Sequence, residues 1–185
     1  MMNAALSDPV SLQIHPSTPS NAVRSLDAQF SITAPGLLTL HYNLQAQMSR
    51  IRVGTEAAPG RADGLWKHTC FEAFIRPGGS DGYYELNFSP TRQWAVYQFD
   101  AYRHGMRPVE LSNPPEIVVR QAASLLELRV TFSLPMGAVP GVAPRPRLAL
   151  TAVVQEDSGS LCYWSARHPR GKPDFHHPES FALEL

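Results

Sequence analysis

The sequence lacks any long apolar segment. No run approaches the roughly 20 residues that a membrane-spanning helix needs. Residues 1–20 contain neither the basic segment nor the continuous apolar segment of a secretory signal peptide. We therefore expect a cytoplasmic protein with no membrane partner.

An excess of charge of one sign is also absent. The 16 Lys and Arg residues balance the 16 Asp and Glu residues, which gives a formal net charge of zero. A balanced chain produces no long-range field that would attract nucleic acid, so nucleic acid is not expected as a partner. Charged residues make up only 17% of the chain, which also has 17 prolines, and this composition favours strands joined by rigid loops over a helical bundle.

Cysteine is scarce, and enzyme motifs are missing or weak. Cys70 and Cys162 lie in apolar strand patterns, so buried free thiols are expected, and their spacing matches no zinc site. The chain has neither a GxGxxG fingerprint nor a phosphate-binding loop. Glu72 and Glu85 could be described as a glycosidase acid–base pair, but so could any two carboxylates on neighbouring strands. We expect a protein that is not an enzyme and that requires no cofactor.

What the sequence does contain is repeated period-two alternation. Segment 38–44, for example, alternates Leu and Tyr with Thr, His and Asn, which is typical of a strand with one buried face. About ten such strands, separated by Gly- and Pro-containing turns, predict an all-β, two-layer antiparallel β-sandwich of the jelly-roll type. We predict one domain over residues 1–185, with a helical turn at 134–139 and an extended loop at 140–146. The predicted strands are 29–33, 38–44, 69–76, 83–88, 93–101, 117–122, 126–132, 148–155, 161–166 and 181–185.

The polar and aromatic residues are densest between residues 66 and 100. In the strand 69–76, Glu72 shares a face with Cys70 and Phe74, and a carboxylate between apolar neighbours needs a partner. Pairing of consecutive strands would join Glu72 to further polar residues in one patch, namely Glu85, Asn87, Trp94 and Gln98. Fixed polar groups beside an aromatic ring suit the hydroxyls and the C–H face of a sugar. The alternative is that this face is merely solvated, with Trp94 covering the core.

The C-terminal region is rich in histidine, with His168, His176 and His177 within ten positions. Histidine clusters can bind zinc or copper. Because His176 and His177 are adjacent, their side chains point apart in an extended chain and make a poor chelating pair. A structural role, with imidazoles hydrogen-bonded to loop carbonyls, is therefore the preferred interpretation.

Several segments together resemble the family-9 carbohydrate-binding modules and the DOMON-like proteins related to them. The resemblance runs from about Asp63 to the C-terminus, and it is carried by Gly64-Leu65-Trp66, Cys70-Phe71-Glu72-Ala73-Phe74-Ile75, Tyr83-Tyr84-Glu85-Leu86-Asn87-Phe88-Ser89-Pro90, Tyr163-Trp164-Ser165 and Phe175-His176-x-Pro178-x-x-Phe181. It implies reversible, non-catalytic binding of a sugar or similar polyhydroxylated ligand. The ligand-binding residues that it implies are Trp66 and Trp164 as two rings clamping the sugar, with Glu72, Asn87 and Arg92 as polar contacts.

The resemblance also leaves alternatives open. Some DOMON relatives bind haem through Met and His, and the residues available for this are Met48 and Met106 with His41, His68, His104 or His168. A structural calcium ion occurs in some relatives, although its acidic ligands are not evident in this sequence. A third hypothesis is a protein-interaction module with no affinity for sugars.

Overall fold

The computed structural model of the protein describes residues 5–33, 36–55, 57–133 and 145–185, and this part of the chain contains fourteen strands. They are β1 (Val10–Ser11), β2 (Gln13–Ile14), β3 (Val23–Thr33), β4 (Leu37–Ala46), β5 (Gly60–Arg61), β6 (Cys70–Arg76), β7 (Tyr83–Phe88), β8 (Gln93–Phe99), β9 (Arg107–Pro108), β10 (Glu116–Ala122), β11 (Leu125–Ser133), β12 (Arg147–Gln155), β13 (Leu161–Ser165) and β14 (Leu183–Glu184). Three 3₁₀ turns occur at Met48–Arg50, Leu65–Lys67 and Pro178–Ser180. None of the helices described is long and apolar enough to cross a membrane. The turn predicted at 134–139, and most of the loop predicted at 140–146, lie outside the described residues.

The strands form two sheets, which confirms the predicted all-β sandwich. The smaller sheet has the order β1-β3-β4-β11-β10, and the larger has the order β2-β13-β12-β6-β7-β8-β5, with β14 beside β12 and β9 beside β8. Among the pairings described, only that between β5 and β8 is parallel. Each of the ten predicted strands corresponds to an observed strand. The other four have two residues each, which is too short for a period-two pattern to be visible.

The main core lies between the two sheets and is built by the alternation read from the sequence. Leu38, Leu40, Tyr42 and Leu44 of β4 are fully buried and face the odd-numbered residues of β6 in the other sheet. The Tyr42 hydroxyl donates a hydrogen bond of 2.6 Å to the backbone carbonyl of Glu72. This bond satisfies a buried phenol and ties β4 to the middle of the larger sheet.

The larger sheet is covered on its outer face as well, so β6 is buried on both sides from Cys70 to Ile75. A second apolar cluster lies on this outer face, and its members include Cys70, Phe74, Phe175 and Phe181. The cluster combines strand residues with the 3₁₀ turn Leu65–Lys67 and with the chain that follows β13. Both cysteines are buried free thiols, as expected.

Candidate functional site

A cleft of about 330 Å³ opens on the outer face of the larger sheet. Its walls are largely aromatic, and its floor and rim carry four ionisable side chains. The aromatic residues are Trp66, Phe99, Tyr163 and Phe175, and the polar ones are Glu72, Glu85, Arg103 and His176. Apolar walls with a few fixed polar groups are the usual composition of a small-ligand site.

Trp66 stands at the wall of the cleft because of the short turn that carries it. Gly64 precedes that turn with φ of 75°, in the left-handed region that glycine adopts without a steric penalty. Leu65 is buried beneath the turn, whereas Trp66 is only partly buried and packs edge-to-face on Tyr97, with ring centroids 5.8 Å apart. One face of the indole ring can therefore be covered by a ligand.

Two carboxyl groups on adjacent strands form the polar floor. Glu72 of β6 lies opposite Asn87 of β7, and Glu85 lies two residues before Asn87 on the same face. Asn87 Nδ2 donates a hydrogen bond of 2.8 Å to Glu85 Oε1. Glu72 is only 2% exposed, and its Oε1 has no hydrogen-bond partner among the described residues. Because an unpaired buried polar atom is costly, a hydrogen-bond partner for this oxygen would be stabilising.

The two carboxyl groups bind protons more tightly than ordinary glutamates. Burial raises the pKa of Glu72 well above its usual range, and the nearby charge of Glu85 raises it further. Burial also raises the pKa of Glu85 to about 7, against the hydrogen bond from Asn87 and the positive charge of Arg103. Close to neutral pH, the pair therefore holds at least one proton for much of the time.

His176 closes one side of the cleft as a neutral ring. Its Nδ1 is hydrogen-bonded to the Tyr83 hydroxyl at 2.8 Å, and its ring packs on Phe74 and Phe99 with centroids 5.1 Å away in each case. Burial lowers the pKa of His176 to about 4. The 3.7 Å approach of its Nε2 to Glu85 Oε2 is therefore not an ion pair at neutral pH.

Arg103 is the cationic side chain at the cleft, and an acidic residue already holds it. Its guanidinium donates a hydrogen bond of 2.8 Å to Asp174 Oδ1, and the Tyr102 hydroxyl donates to the other oxygen of that carboxylate. The backbone N–H of Arg103 donates to the Tyr83 hydroxyl. These contacts fix the loop after β8 against the segment that contains His176.

Of the five predicted ligand-binding residues, the structure brings together Glu72, Trp66 and, beneath the floor, Asn87. Trp164 lies elsewhere, because it is 6% exposed and packs in the core between the two sheets. Arg92 is exposed in the turn between β7 and β8, with φ of 66°, and lines a separate opening beside Pro90 and Val118. Trp164 and Arg92 are therefore not part of this cleft. Their positions differ from the predicted arrangement.

The alternation along β13 explains the position of Trp164, and the alternation along β8 explains the position of Trp94. In β13, Trp164 faces the core with Cys162, which directs Tyr163 to the opposite face and into the cleft. In β8, Ala95 and Tyr97 lie opposite Asn87 and Glu85. Trp94 therefore faces the core and does not join the polar patch.

Sequence reasoning missed most of the cleft wall. Tyr163 is the neighbour of Trp164, and which of the two faces the cleft follows only when the side of the sheet is known. Arg103, Met106 and Pro173 come from loops, where no period-two pattern shows which way a side chain points. His176 carried a signal, since it lies in the histidine-rich segment, but the pattern indicated only a structural role.

The structure also places the residues considered for metal and haem. His168 Nε2 is hydrogen-bonded to the backbone carbonyl of Gln13, and His177 Nδ1 accepts from the N–H of Glu179, in keeping with structural roles. Met48 is buried between the sheets, whereas Met106 lines the cleft. None of the four histidines considered as haem ligands, namely His41, His68, His104 and His168, lines that cleft. Over the described ranges, no group of three or more His, Cys, Asp or Glu residues is arranged to hold a metal ion.

Comparisons with known proteins give a fold neighbour. No protein-family model matches the sequence, and no curated protein matches it significantly. A solved protein from Bacteroides uniformis, proposed to bind carbohydrate, superposes with a TM-score of 0.67 at 14% identity, over 95% of this chain and 83% of that chain. A family-9 carbohydrate-binding module from Caldicellulosiruptor kristjanssonii, solved with glucose, gives a TM-score of 0.48 at 8% identity, over 86% of this chain and 76% of that chain. The first likeness shows that this chain shares the fold of the Bacteroides protein.

Proposed function

We propose that the protein binds a sugar, or a similar polyhydroxylated small ligand, in the cleft on the outer face of the larger sheet, without chemical conversion. The observation that carries the proposal is the buried Glu72, which lines a cleft walled by Trp66 and Tyr163 and whose Oε1 has no hydrogen-bond partner among the described residues. The ligand class is also the one proposed for the Bacteroides uniformis protein of the same fold.

The composition of the cleft suits a sugar ring. Aromatic side chains cover the C–H face of a pyranose, and carboxyl groups accept hydrogen bonds from its hydroxyls. A volume of about 330 Å³ is sufficient for a monosaccharide or for the end of a longer sugar. The hydrogen bond from Asn87 to Glu85 and the packing around His176 hold the polar groups in place before a ligand arrives. Such preorganisation lowers the entropy lost on binding.

The proposal is tested by titrating the protein with a panel of monosaccharides and disaccharides and following tryptophan fluorescence. Trp94 and Trp164 are buried between the sheets, so a saturable change should report on Trp66. Isothermal titration calorimetry gives the dissociation constants independently. We expect Trp66→Ala to remove binding while the circular dichroism spectrum stays unchanged.

The matched control is Val118→Ala, which removes an exposed apolar side chain from β10, away from the cleft. This variant should bind like the wild type. The proposal fails if no sugar of the panel binds the wild-type protein. The assigned cleft is wrong if Trp66→Ala binds as tightly as the wild type.

A further inference from the structure

We propose that the ligand of this cleft carries a protonated amino group, as an amino sugar does, and that Glu72 and Glu85 bind this ammonium. The inference rests on the proposed sugar-binding function and adds the charge of the ligand to it. It follows from the charge balance of the cleft, in which two buried carboxyl groups face the ligand without a free cation.

Glu72 and Glu85 have no cationic partner of their own in the described part of the chain. Glu72 takes part in no ion pair there, and the basic group found within 4 Å of a Glu85 oxygen is the imidazole of His176. Since burial lowers the pKa of His176 to about 4, that ring carries no charge at neutral pH. Arg103 is a cation that lines the cleft, but its guanidinium is hydrogen-bonded to Asp174. A ligand cation would supply the positive partner that these carboxyl groups lack when they ionise.

The hydrogen-bonding chemistry favours the same ligand. An ionised carboxylate is only an acceptor, and an ammonium offers three donors and no acceptor. Glu72 lines the cleft, and its buried Oε1 has no hydrogen-bond partner among the described residues. Charge-assisted hydrogen bonds are about twice as strong as neutral ones. The rings of Trp66 and Tyr163 add to the preference, because the faces of aromatic rings attract cations.

The titration behaviour of the floor agrees with this ligand. Glu72 is faced by Cys70 and Glu85, and Glu85 by Asn87, His176 and Arg103, so the environment holds protons on the pair. A bound ammonium stabilises the ionised carboxylates and should displace a proton to the solvent. A neutral sugar can hydrogen-bond to the protonated pair and should release none.

The test compares glucosamine, glucose and N-acetylglucosamine, which share one pyranose frame and differ at one substituent. Calorimetric titration at neutral pH should show glucosamine binding at least about tenfold more tightly than the other two, equivalent to about 1.4 kcal/mol. Repeating the titration in buffers of different ionisation enthalpy should show proton release with glucosamine alone. Glu72→Gln should remove the preference, whereas the control Glu116→Gln, at an exposed carboxyl group of β10, should retain it.

Titration of the wild-type protein with the three sugars tests the ammonium site even if Glu72→Gln fails to fold. Equal affinity for glucose and glucosamine, or weaker binding of glucosamine, overturns the ammonium site and leaves sugar binding intact. A preference for glucosamine that survives in a folded Glu72→Gln protein overturns the assignment to this carboxyl group. The absence of binding by all three sugars and by the wider panel rejects the proposed function, and the inference with it.

Discussion

The buried Glu85 should make the stability of the protein depend on pH in a defined window. Glu85 is 5% exposed, and burial raises its pKa from an ordinary value of 4.5 to about 7 in the folded state. Between these two pH values the folded protein binds more protons than the unfolded chain, so the free energy of unfolding falls as the pH rises. The contribution is fully present below about pH 4.5 and is lost once the pH passes about 7.

The size of the effect follows from the pKa difference. A tenfold change in an equilibrium constant corresponds to about 1.4 kcal/mol, so ionisation of Glu85 should lower the free energy of unfolding by about 3 kcal/mol across the window. Glu85→Gln cannot ionise, and its side-chain oxygen can still accept the hydrogen bond from Asn87. The variant should therefore lose less stability than the wild type as the pH rises.

The assay is urea denaturation of both proteins at a series of pH values on each side of the window, without ligand. The quantity of interest is the difference between the two unfolding free energies, in which the contributions of groups that do not interact with Glu85 cancel. Glu116→Gln serves as the control for replacing a carboxyl group by an amide. A difference that stays constant across the window would refute the reasoning, since it would mean that Glu85 titrates alike in both states.

Two further substitutions test the contacts of residues buried between the two sheets. Trp164→Ala should lower the free energy of unfolding by about 3–5 kcal/mol, since it leaves a cavity between the sheets. At a temperature where the variant is folded it should still bind sugar in calorimetry, and loss of binding there would contradict its placement. Tyr42→Phe should lower the free energy of unfolding by about 1–3 kcal/mol, because the hydrogen bond to the carbonyl of Glu72 is lost. Urea denaturation measures this, and an unchanged midpoint would show that the bond contributes nothing.

Much of the fold could be predicted because a strand displays its faces locally. The alternation along β6 placed Glu72 with Cys70 and Phe74, and the structure confirms that arrangement. Glu72 lies between apolar neighbours in this strand, so the sequence alone indicates a carboxylate in need of a partner.

The part of the site that could not be predicted depends on contacts between distant segments. Adjacent aromatic residues such as Tyr163 and Trp164 are equivalent until the side of the sheet is known. That side is set by the pairing of β13 with β12 and by the smaller sheet packed beneath. The sequence also predicts Trp94 in the polar patch, but its register against β7 directs it to the core.

The sequence by itself therefore determined the strands, the two-layer architecture and the buried carboxylate, because side-chain alternation has a period of two residues and is visible along a single strand. Only the tertiary structure decided which side chains share the cleft. His176 and Arg103 line the same cleft as Glu85, although they lie in loops 91 and 18 residues away along the chain (176 − 85 and 103 − 85). Their positions depend on the hydrogen bonds to Tyr83 and Asp174, and such long-range contacts leave no periodic signal in the sequence.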